Sequence, residues 1–242
     1  MKRKILLTLA TITISLITFG QYNIGLRLDD GFSRIFDTYK PLNATLTTQN
    51  QPSWLFGVYC TYHLNNTFTF GTEILYVKIN GKETATTNIY DASGNTIAQG
   101  SDIINSHISY VSVPAYFGIM LKKFTINLGA QVLLDFGNNG LETCQITEGR
   151  NDTSWNNKIN NFYIKGVNIV PRIGVVYDCS TKFSIEGSYF CGINNTLRTC
   201  IADRKWRVQQ LTVGFRFKLY SRIKKNKQTI EPITKTYLPA NR

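Results

Sequence analysis

The sequence lacks any long hydrophobic run beyond its first twenty residues. Within them, the apolar stretch 5–19 follows a basic stretch, 2–4, and ends at Gly20. This stretch is shorter than the ~20 residues that a membrane-spanning helix needs. A basic segment, an apolar segment and then a small residue are typical of a secretory signal peptide. We therefore expect residues 1–20 to be a signal peptide and the remaining chain to have no helical membrane span.

Acidic residues are scarce, because 15 Asp and Glu stand against 27 Lys and Arg, for a formal net charge of +12. A basic protein can bind nucleic acid, but an exported protein does not normally meet it. Anionic lipid and lipopolysaccharide are the better counterparts for this charge. We therefore expect lipid partners and no nucleic acid.

Motifs of catalysis and cofactor binding are absent. The sequence has no GxSxG elbow, no HExxH and no glycine-rich phosphate loop. His107 is the one catalytic candidate, because Ser106, Ser109 and Asp102 supply the other members of a Ser–His–acid set. A hydroxyl near a histidine in a polar segment is common by chance. We therefore expect no enzymatic activity, no catalytic residue and no cofactor.

The cysteines do not form a metal-binding pattern. There are five, Cys60, Cys144, Cys179, Cys191 and Cys200, and none belongs to a CxxC pair or another zinc-type spacing. Their odd number excludes a fully paired set within one chain. We expect no metal site, whereas an exported protein is permitted disulfides.

What the sequence does have is apolar–polar alternation with a period of two. The pattern is clearest in 124–136 and 211–219, where every second residue is apolar with few exceptions. Side chains of a strand alternate between its two faces, so this pattern predicts strands with two different environments. We predict eight strands, at about 22–30, 52–64, 67–79, 107–121, 124–136, 167–178, 182–193 and 206–220.

The connections between these strands alternate strictly in length. Three are short, at 65–66, 122–123 and 178–181, and four are long, at 31–51, 80–106, 137–166 and 194–205. Up-and-down outer-membrane barrels have short periplasmic turns and long outer loops, and their strands need ~9–11 residues to cross the bilayer. The sequence therefore predicts an all-β fold, an eight-stranded antiparallel up-and-down transmembrane β-barrel over 21–220. Residues 221–242 are then a basic periplasmic tail, which we expect to be disordered.

Four of the strand segments also resemble a known family. Phe70–Tyr76, Tyr110–Tyr116, Phe124–Gln131 and Leu211–Phe217 are similar to the "ELLY", "YLEIPLL", "AGPQ" and closing "GLGYRF" strands of PorT-like outer-membrane β-barrels of the Bacteroidota. Ser112 stands where that family often has an acidic residue. The resemblance implies the outer membrane as location and a barrel as fold. It implies no single activity, although named members contribute to type IX secretion.

Charged residues are expected inside the barrel. If the apolar faces contact lipid, the alternation places six charged side chains in the lumen: Arg27, Glu73, Asp135, Arg172, Glu186 and Arg216. An eight-stranded barrel is only wide enough to be filled by side chains, and buried charges must be paired. We therefore predict a salt-bridged plug, with an ion path as the alternative.

The predicted topology also restricts the disulfides. Cys144 and Cys200 fall in outer loops and Cys191 at the outer end of a strand, whereas Cys60 and Cys179 lie too far away to reach them. We favour a Cys144–Cys200 bridge. A Cys191–Cys200 bridge and five free thiols remain open.

The leading functional interpretation is a non-enzymatic outer-membrane barrel with a plugged lumen. It would act through its extracellular loops in envelope structure, adhesion or assembly. Its partners would be outer-membrane lipid, lipopolysaccharide and envelope or secretion-system proteins. The alternatives are a lipid-modifying barrel enzyme and a small pore.

Overall fold

The computed structural model describes residues 21–37, 44–148, 151–160, 164, 166–192 and 206–222. These residues form ten strands: β1 (Gln21–Asp37), β2 (Ala44–Gln49), β3 (Gln51–His63), β4 (Phe68–Tyr90), β5 (Thr96–Leu121), β6 (Phe124–Glu148), β7 (Asn151–Ile159), β8 (Val167–Asp178), β9 (Phe183–Cys191) and β10 (Trp206–Arg222). The predicted signal peptide, the connection 194–205 and nearly all of the predicted tail lie outside the described residues. No helix in the described ranges is long and apolar enough to cross a membrane.

Eight of the strands close into a ring. Their order is β1-β3-β4-β5-β6-β8-β9-β10, and β10 pairs with β1 from Tyr22–Arg222 to Asp37–Trp206. Every neighbouring pair is antiparallel. Closure leaves the ring without a free sheet edge, as a membrane requires of β-structure. The prediction of an eight-stranded up-and-down barrel is confirmed.

The short turns lie together at one end of the ring, next to the first residue of β1 and the last residue of β10. They connect β3 to β4, β5 to β6 and β8 to β9. The carboxamide Oδ1 of Asn65 accepts hydrogen bonds from the backbone N–H groups of Thr67 and Phe68, at 2.7 and 2.8 Å. The turn between β5 and β6 is only two residues long, and Lys122 has a φ of 58° there.

At the other end, four strands run further than predicted: β1, β4, β5 and β6. The β4–β5 hairpin continues to a turn at 91–95, and β6 continues to Glu148. Two further strands pair with these extensions, β2 with β4 and β7 with β6. The long outer connections expected at 80–106 and 137–166 therefore consist largely of strand. The apolar–polar alternation does not reveal these extensions, because neither of their faces contacts lipid. Every second residue is therefore not apolar there, as it is in the membrane-crossing segments.

The outer wall of the barrel is apolar where the sequence predicts it. Leu128 is 54% exposed and Val213 is 60% exposed, and they share these outer faces with Phe124, Phe136, Phe215 and Phe217. Between them, the intervening side chains of β6 and β10 turn inward. Aromatic pairs mark the end of this band near the short turns, such as Phe124–Tyr177 with ring centroids 4.8 Å apart.

The lumen is divided into two layers. Toward the short turns it is polar and charged. Toward the extended strands it is filled by a buried apolar cluster: Ile35, Leu55, Leu75, Val77, Ile79, Ile108, Tyr110, Leu133, Ile164, Val170, Phe190, Trp206 and Val208. In that half of the barrel much of the inner face is therefore apolar as well, beside buried polar residues such as Ser33, Ser53 and Gln210.

A charge on the outer face tests which face contacts lipid. Leu128→Arg should destabilise the barrel by about 2–4 kcal/mol, the cost of an arginine at the middle of the bilayer. Phe136→Arg lies on the same face of β6 but at the outer end of the predicted membrane-crossing segment 124–136, where the cost falls to about 0–1 kcal/mol. Urea unfolding in lipid vesicles measures both values. Equal costs at the two positions would contradict the assignment.

Candidate functional site: the lumen charge network and the outer pocket

Six charged side chains meet in the polar layer of the lumen. They come from five strands: Arg27 and Asp29 from β1, Glu73 from β4, Arg172 from β8, Glu186 from β9 and Arg216 from β10. All six are at most 6% exposed. Each occupies an inward-facing position of its strand, so the alternation of side chains between the two faces places it in the lumen. We call these six residues the lumen network.

Two glutamates form the centre of the lumen network, and each contacts all three arginines. Glu73 Oε2 lies 2.7 Å from Arg27 Nη1 and 3.3 Å from Arg172 Nη1, and Oε1 accepts from Arg216 Nη2. Glu186 Oε1 lies 2.7 Å from Arg172 Nη2 and 3.2 Å from Arg27 Nη1, and Oε2 accepts from Arg216 Nε. Side chains from opposite walls are thus joined across the barrel.

Asp29 balances the charge of the lumen network at three bases and three acids. Its carboxylate pairs with the Arg27 guanidinium and accepts a hydrogen bond from Thr212 Oγ1 at 3.1 Å. Ser188 Oγ accepts from Arg27 Nη2 at 2.8 Å and shares a 2.9 Å hydrogen bond with Thr212. Such additional hydrogen bonds are what buried ion pairs need in order to offset their desolvation.

Two tyrosines cover the lumen network on the side of the short turns. The Arg216 guanidinium lies 4.7 Å from the ring centroid of Tyr59 and 5.6 Å from that of Tyr116, distances suited to cation–π attraction. Tyr116 packs against Gly71, where a Cβ atom would come within 2.2 Å of the ring. A glycine in a strand often marks such a close approach, so a larger residue at position 71 would displace Tyr116.

The structure brings together five of the six charged residues that the sequence placed in the lumen. Asp135 is separate from them. It is half-buried, and its carboxylate accepts hydrogen bonds from the N–H of Gly137 at 3.2 Å and from Asn138 Nδ2 at 3.0 Å. It lies beside an irregularity in the β5–β6 register, between Ser109 and Tyr110. Placing Asp135 in the charge network was therefore wrong.

Three participants were missed by sequence reasoning. Asp29 shares the inward parity of Arg27, so a signal for it was present in the sequence. Tyr59 and Tyr116 carry no such signal, because aromatic residues occur on both faces of membrane strands.

A second site lies outside the barrel proper, between β2 and the extensions of β4, β5 and β6. It is a pocket of about 370 Å³ with an apolar wall that includes Leu46, Ile104 and Ile146. On one side, side-chain ligand atoms of Asp102, Glu142 and Cys144 lie within 4.8 Å of one another. Hydrogen bonds already engage this group: Cys144 Sγ contacts Asp102 Oδ1 at 3.6 Å and Asn157 Nδ2 donates to Glu142 at 3.2 Å.

Cys144 is a free thiol in this structure, and Cys191 is free as well. Cys200, the bridging partner expected for either of them, lies outside the described residues, so a disulfide at this end stays a prediction. Burial and the adjacent carboxylates of Asp102 and Glu142 raise the pKa of the Cys144 thiol.

The candidate Ser–His–acid set is not assembled. His107 and Ser109 face outward from β5, whereas Asp102 faces the pocket on the opposite side of the strand. The ring nitrogen Nδ1 of His107 is hydrogen-bonded to Asn80 Oδ1 at 2.7 Å. Ser109 Oγ accepts from the hydroxyl of Tyr76 at 2.9 Å. Among the described residues, no hydrogen bond therefore joins Ser109 to His107.

Removing one central carboxylate should strongly destabilise the barrel. Glu186→Gln leaves Arg172 and Arg216 buried with one anionic partner fewer, which costs about 3–5 kcal/mol in comparable buried pairs. Glu148→Gln makes the same chemical change at an exposed position and should stay within about 0.5 kcal/mol of the native protein. The measurement is urea unfolding in vesicles, and similar stabilities for the two variants would contradict the pairing.

Removing a carboxylate beside Cys144 should make its thiol more reactive. The thiolate is the reactive form, and a neighbouring negative charge raises the thiol pKa. Asp102→Asn therefore increases the thiolate fraction, and we expect maleimide labelling of Cys144 in the reduced protein to accelerate by about 2–10-fold at pH 8. Mass spectrometry follows the site, with exposed Cys179 as the internal control. Unchanged or slower labelling of Cys144 would refute the electrostatic assignment.

Comparison with known proteins places this architecture among outer-membrane proteins. The profile of the family described as "Outer membrane protein beta-barrel domain" matches residues 38–198, which are 161 of the 242 residues. No curated protein sequence matches the chain.

The solved structures that resemble the chain include three outer-membrane proteins. Neisserial surface protein A (NspA) is 12% identical with a TM-score of 0.39, covering 81% of this chain and 96% of its own. OprG from Pseudomonas aeruginosa is 10% identical with a TM-score of 0.38, covering 83% and 96%. Ail, the attachment invasion locus protein of Yersinia pestis, is 14% identical with a TM-score of 0.31, covering 82% and 99%. The chain belongs to the outer membrane protein beta-barrel domain family and is a β-barrel protein of the outer membrane.

Proposed function

We propose that this protein is a non-enzymatic barrel with a plugged lumen that acts through its extracellular strands in envelope structure, adhesion or assembly. The observation that carries the proposal is the contrast between the two parts of the molecule. The lumen is filled by an ion-paired layer and an apolar layer, whereas β4, β5 and β6 continue outward and present side chains to solvent. The extended strands are then the part of the molecule that binds partners.

The extended strands form a sheet in the order β2-β4-β5-β6-β7. Several large apolar side chains on it are exposed: Ile89, Tyr90, Ile97, Leu141 and Trp155. Tyrosine and tryptophan are the residues that most often dominate binding energy at protein interfaces. A sheet anchored in a rigid barrel holds such groups in place, which lowers the entropy lost on binding.

The tip of the β4–β5 hairpin is held by a single carboxylate. Asp91 Oδ1 accepts from the backbone N–H groups of Ser93 and Asn95, each at 2.8 Å. The hydrogen bonds from Asn95 keep the pKa of the Asp91 carboxyl below its usual value. The tip is thereby presented in a defined conformation.

An enzyme and a pore are the alternative functions. The absence of a serine–base contact at His107 disfavours a lipid-modifying enzyme, because nucleophilic catalysis needs that contact. The buried apolar cluster disfavours a pore, because bulky side chains such as Ile79, Ile108 and Tyr110 occupy the outer half of the lumen.

The partners of the protein are inferred from its surface. The apolar wall faces outer-membrane lipid, and the extended strands rise to the depth of lipopolysaccharide. We further propose that the chain is PorT-like, on the strength of the four strand motifs in 70–76, 110–116, 124–131 and 211–217. Envelope or secretion-system proteins are then the protein partners to look for.

A variant with a shortened β4–β5 hairpin tests the proposal through its cross-linked partners and its folded state. Replacing 88–99 by Asn-Gly leaves Thr87 opposite Gly100 and removes Ile89, Tyr90 and Ile97 while keeping the β2–β4 pairing. Both proteins are purified from native outer membrane in mild detergent after surface cross-linking. We expect the cross-linked partners of the native protein to be lost from the variant, while both migrate as folded, heat-modifiable barrels.

Single-channel recording in planar bilayers is the companion measurement. The native protein should show no steady ionic current. An unchanged set of cross-linked partners in the hairpin variant would refute binding through the extended strands, and a steady current would favour a pore.

A further inference from the structure

We propose that the rim of the barrel at the short turns binds the headgroups of anionic phospholipids in the periplasmic leaflet. This rim consists of the turns 122–123 and 179–182 with the adjoining ends of β8 and β10. The inference does not depend on what the extracellular strands bind, since it concerns the opposite end of the molecule.

The charge of the rim is strongly one-sided. Its described residues include five basic side chains, Lys122, Lys123, Lys182, Lys218 and Arg222, and one acidic side chain, Asp178. Asp178 is already engaged, because its Oδ1 accepts from Lys218 Nζ at 2.8 Å and from Ser184 Oγ at 2.5 Å. Over the described part of the chain, Lys122, Lys123 and Lys182 have no carboxylate partner.

The rim lies at the depth of lipid headgroups. Lys123 precedes Phe124, whose ring packs against Tyr177, and Lys182 precedes Phe183, whose ring packs 5.2 Å from Phe215. Aromatic girdles of membrane barrels sit at the interface between acyl chains and headgroups. The exposed side chain of Leu121 continues the apolar wall up to the same level. Lysines beside these rings can extend their ammonium groups to the phosphates.

A groove at the rim has the chemistry of a phosphate site. It measures about 660 Å³ and is lined by Lys123, Lys182 and Lys218 together with the hydroxyl residues Ser180, Thr181 and Ser221. Asp178 lines it as well, with its carboxylate held by Lys218 and Ser184. Lysine binds phosphate as a point charge, and hydroxyl groups donate hydrogen bonds to the remaining oxygens. A phosphodiester monoanion therefore finds both charge and donors in the groove, and Leu219 supplies an apolar wall at its edge.

The backbone gives an independent reason to assign Lys122 a function. Its φ of 58° is in the left-handed region, which costs an ordinary side chain energy. Two-residue hairpin turns strongly prefer Asn and Gly there. The four-residue β3–β4 turn, by contrast, has no residue of positive φ and carries no charge over 64–67. A lysine in this unfavourable left-handed backbone conformation points to a role for its charge.

The test compares two triple variants of the full chain, each without three lysines. The rim variant is Lys122→Asn, Lys123→Gln and Lys182→Gln, and the matched control is Lys78→Gln, Lys82→Gln and Lys158→Gln on the extracellular side. Each protein is reconstituted in nanodiscs with equal amounts of phosphatidylglycerol and phosphatidylcholine. Native mass spectrometry then counts the lipids that stay bound when the protein is released.

We expect the native protein and the control variant to retain phosphatidylglycerol over phosphatidylcholine by at least threefold, and the rim variant to retain both about equally. The rim variant should fold, because asparagine suits the backbone of position 122. Equal retention by the native protein, or a preference that survives in the rim variant, would overturn the proposal. A soluble anionic cell-wall fragment that outcompetes phosphatidylglycerol at the same lysines would overturn it as well.

Discussion

The pairing of buried charges is the constraint on which the rest of this structure depends. A single unpaired ion in the lumen would cost several kcal/mol, so each arginine and each carboxylate must find a partner across a narrow space. Glu73 and Glu186 meet that requirement by contacting Arg27, Arg172 and Arg216 at once. Because these residues come from different strands, pairing them fixes how the strands are positioned around the ring.

The lumen network also specifies strand register. A slip of one residue in any of the contributing strands would turn its charged side chain toward lipid and an apolar side chain inward. The glycines that leave room for the tyrosines strengthen this dependence, since Tyr116 fits only opposite Gly71. Strand register, charge pairing and the packing of the tyrosine side chains therefore depend on one another. The apolar cluster above the lumen network then completes the filling of the lumen with ordinary hydrophobic packing.

The part of the fold that was predictable from the sequence is the part that contacts lipid. In β6 and β10, lipid outside and polar groups inside impose a period of two with few exceptions, which predicts the strands. The same alternation in β1, β4, β8, β9 and β10 predicts the inward position of five charged residues. Beyond the membrane, segments such as 84–87 are half-buried on both faces, so the extensions of β4 and β5 lack a clear apolar–polar alternation. Asp135 was misplaced because it shares the inward parity but lies farther along β6 than Gly129, the register partner of Arg172. The pocket beside Cys144 depends on strand pairing between distant segments, which spacing along the chain does not reveal.

The division of the molecule into a filled barrel and an exposed sheet gives each part a separate task. Under the proposed function the barrel is the membrane anchor, with the basic rim at the end of the short turns and the aromatic-bearing sheet at the other end. Stability of the anchor allows the extended strands to vary in sequence without loss of the fold.

A double-mutant cycle between Arg27 and Glu186 tests the central claim most directly. The two residues come from β1 and β9, and their charged groups lie 3.2 Å apart. If they are coupled through the lumen network, Arg27→Met and Glu186→Gln together should destabilise the barrel by about 0.5–3 kcal/mol less than the sum of the single changes. Strict additivity, within about 0.3–0.5 kcal/mol, would show that the charges do not act as one network and would contradict the account.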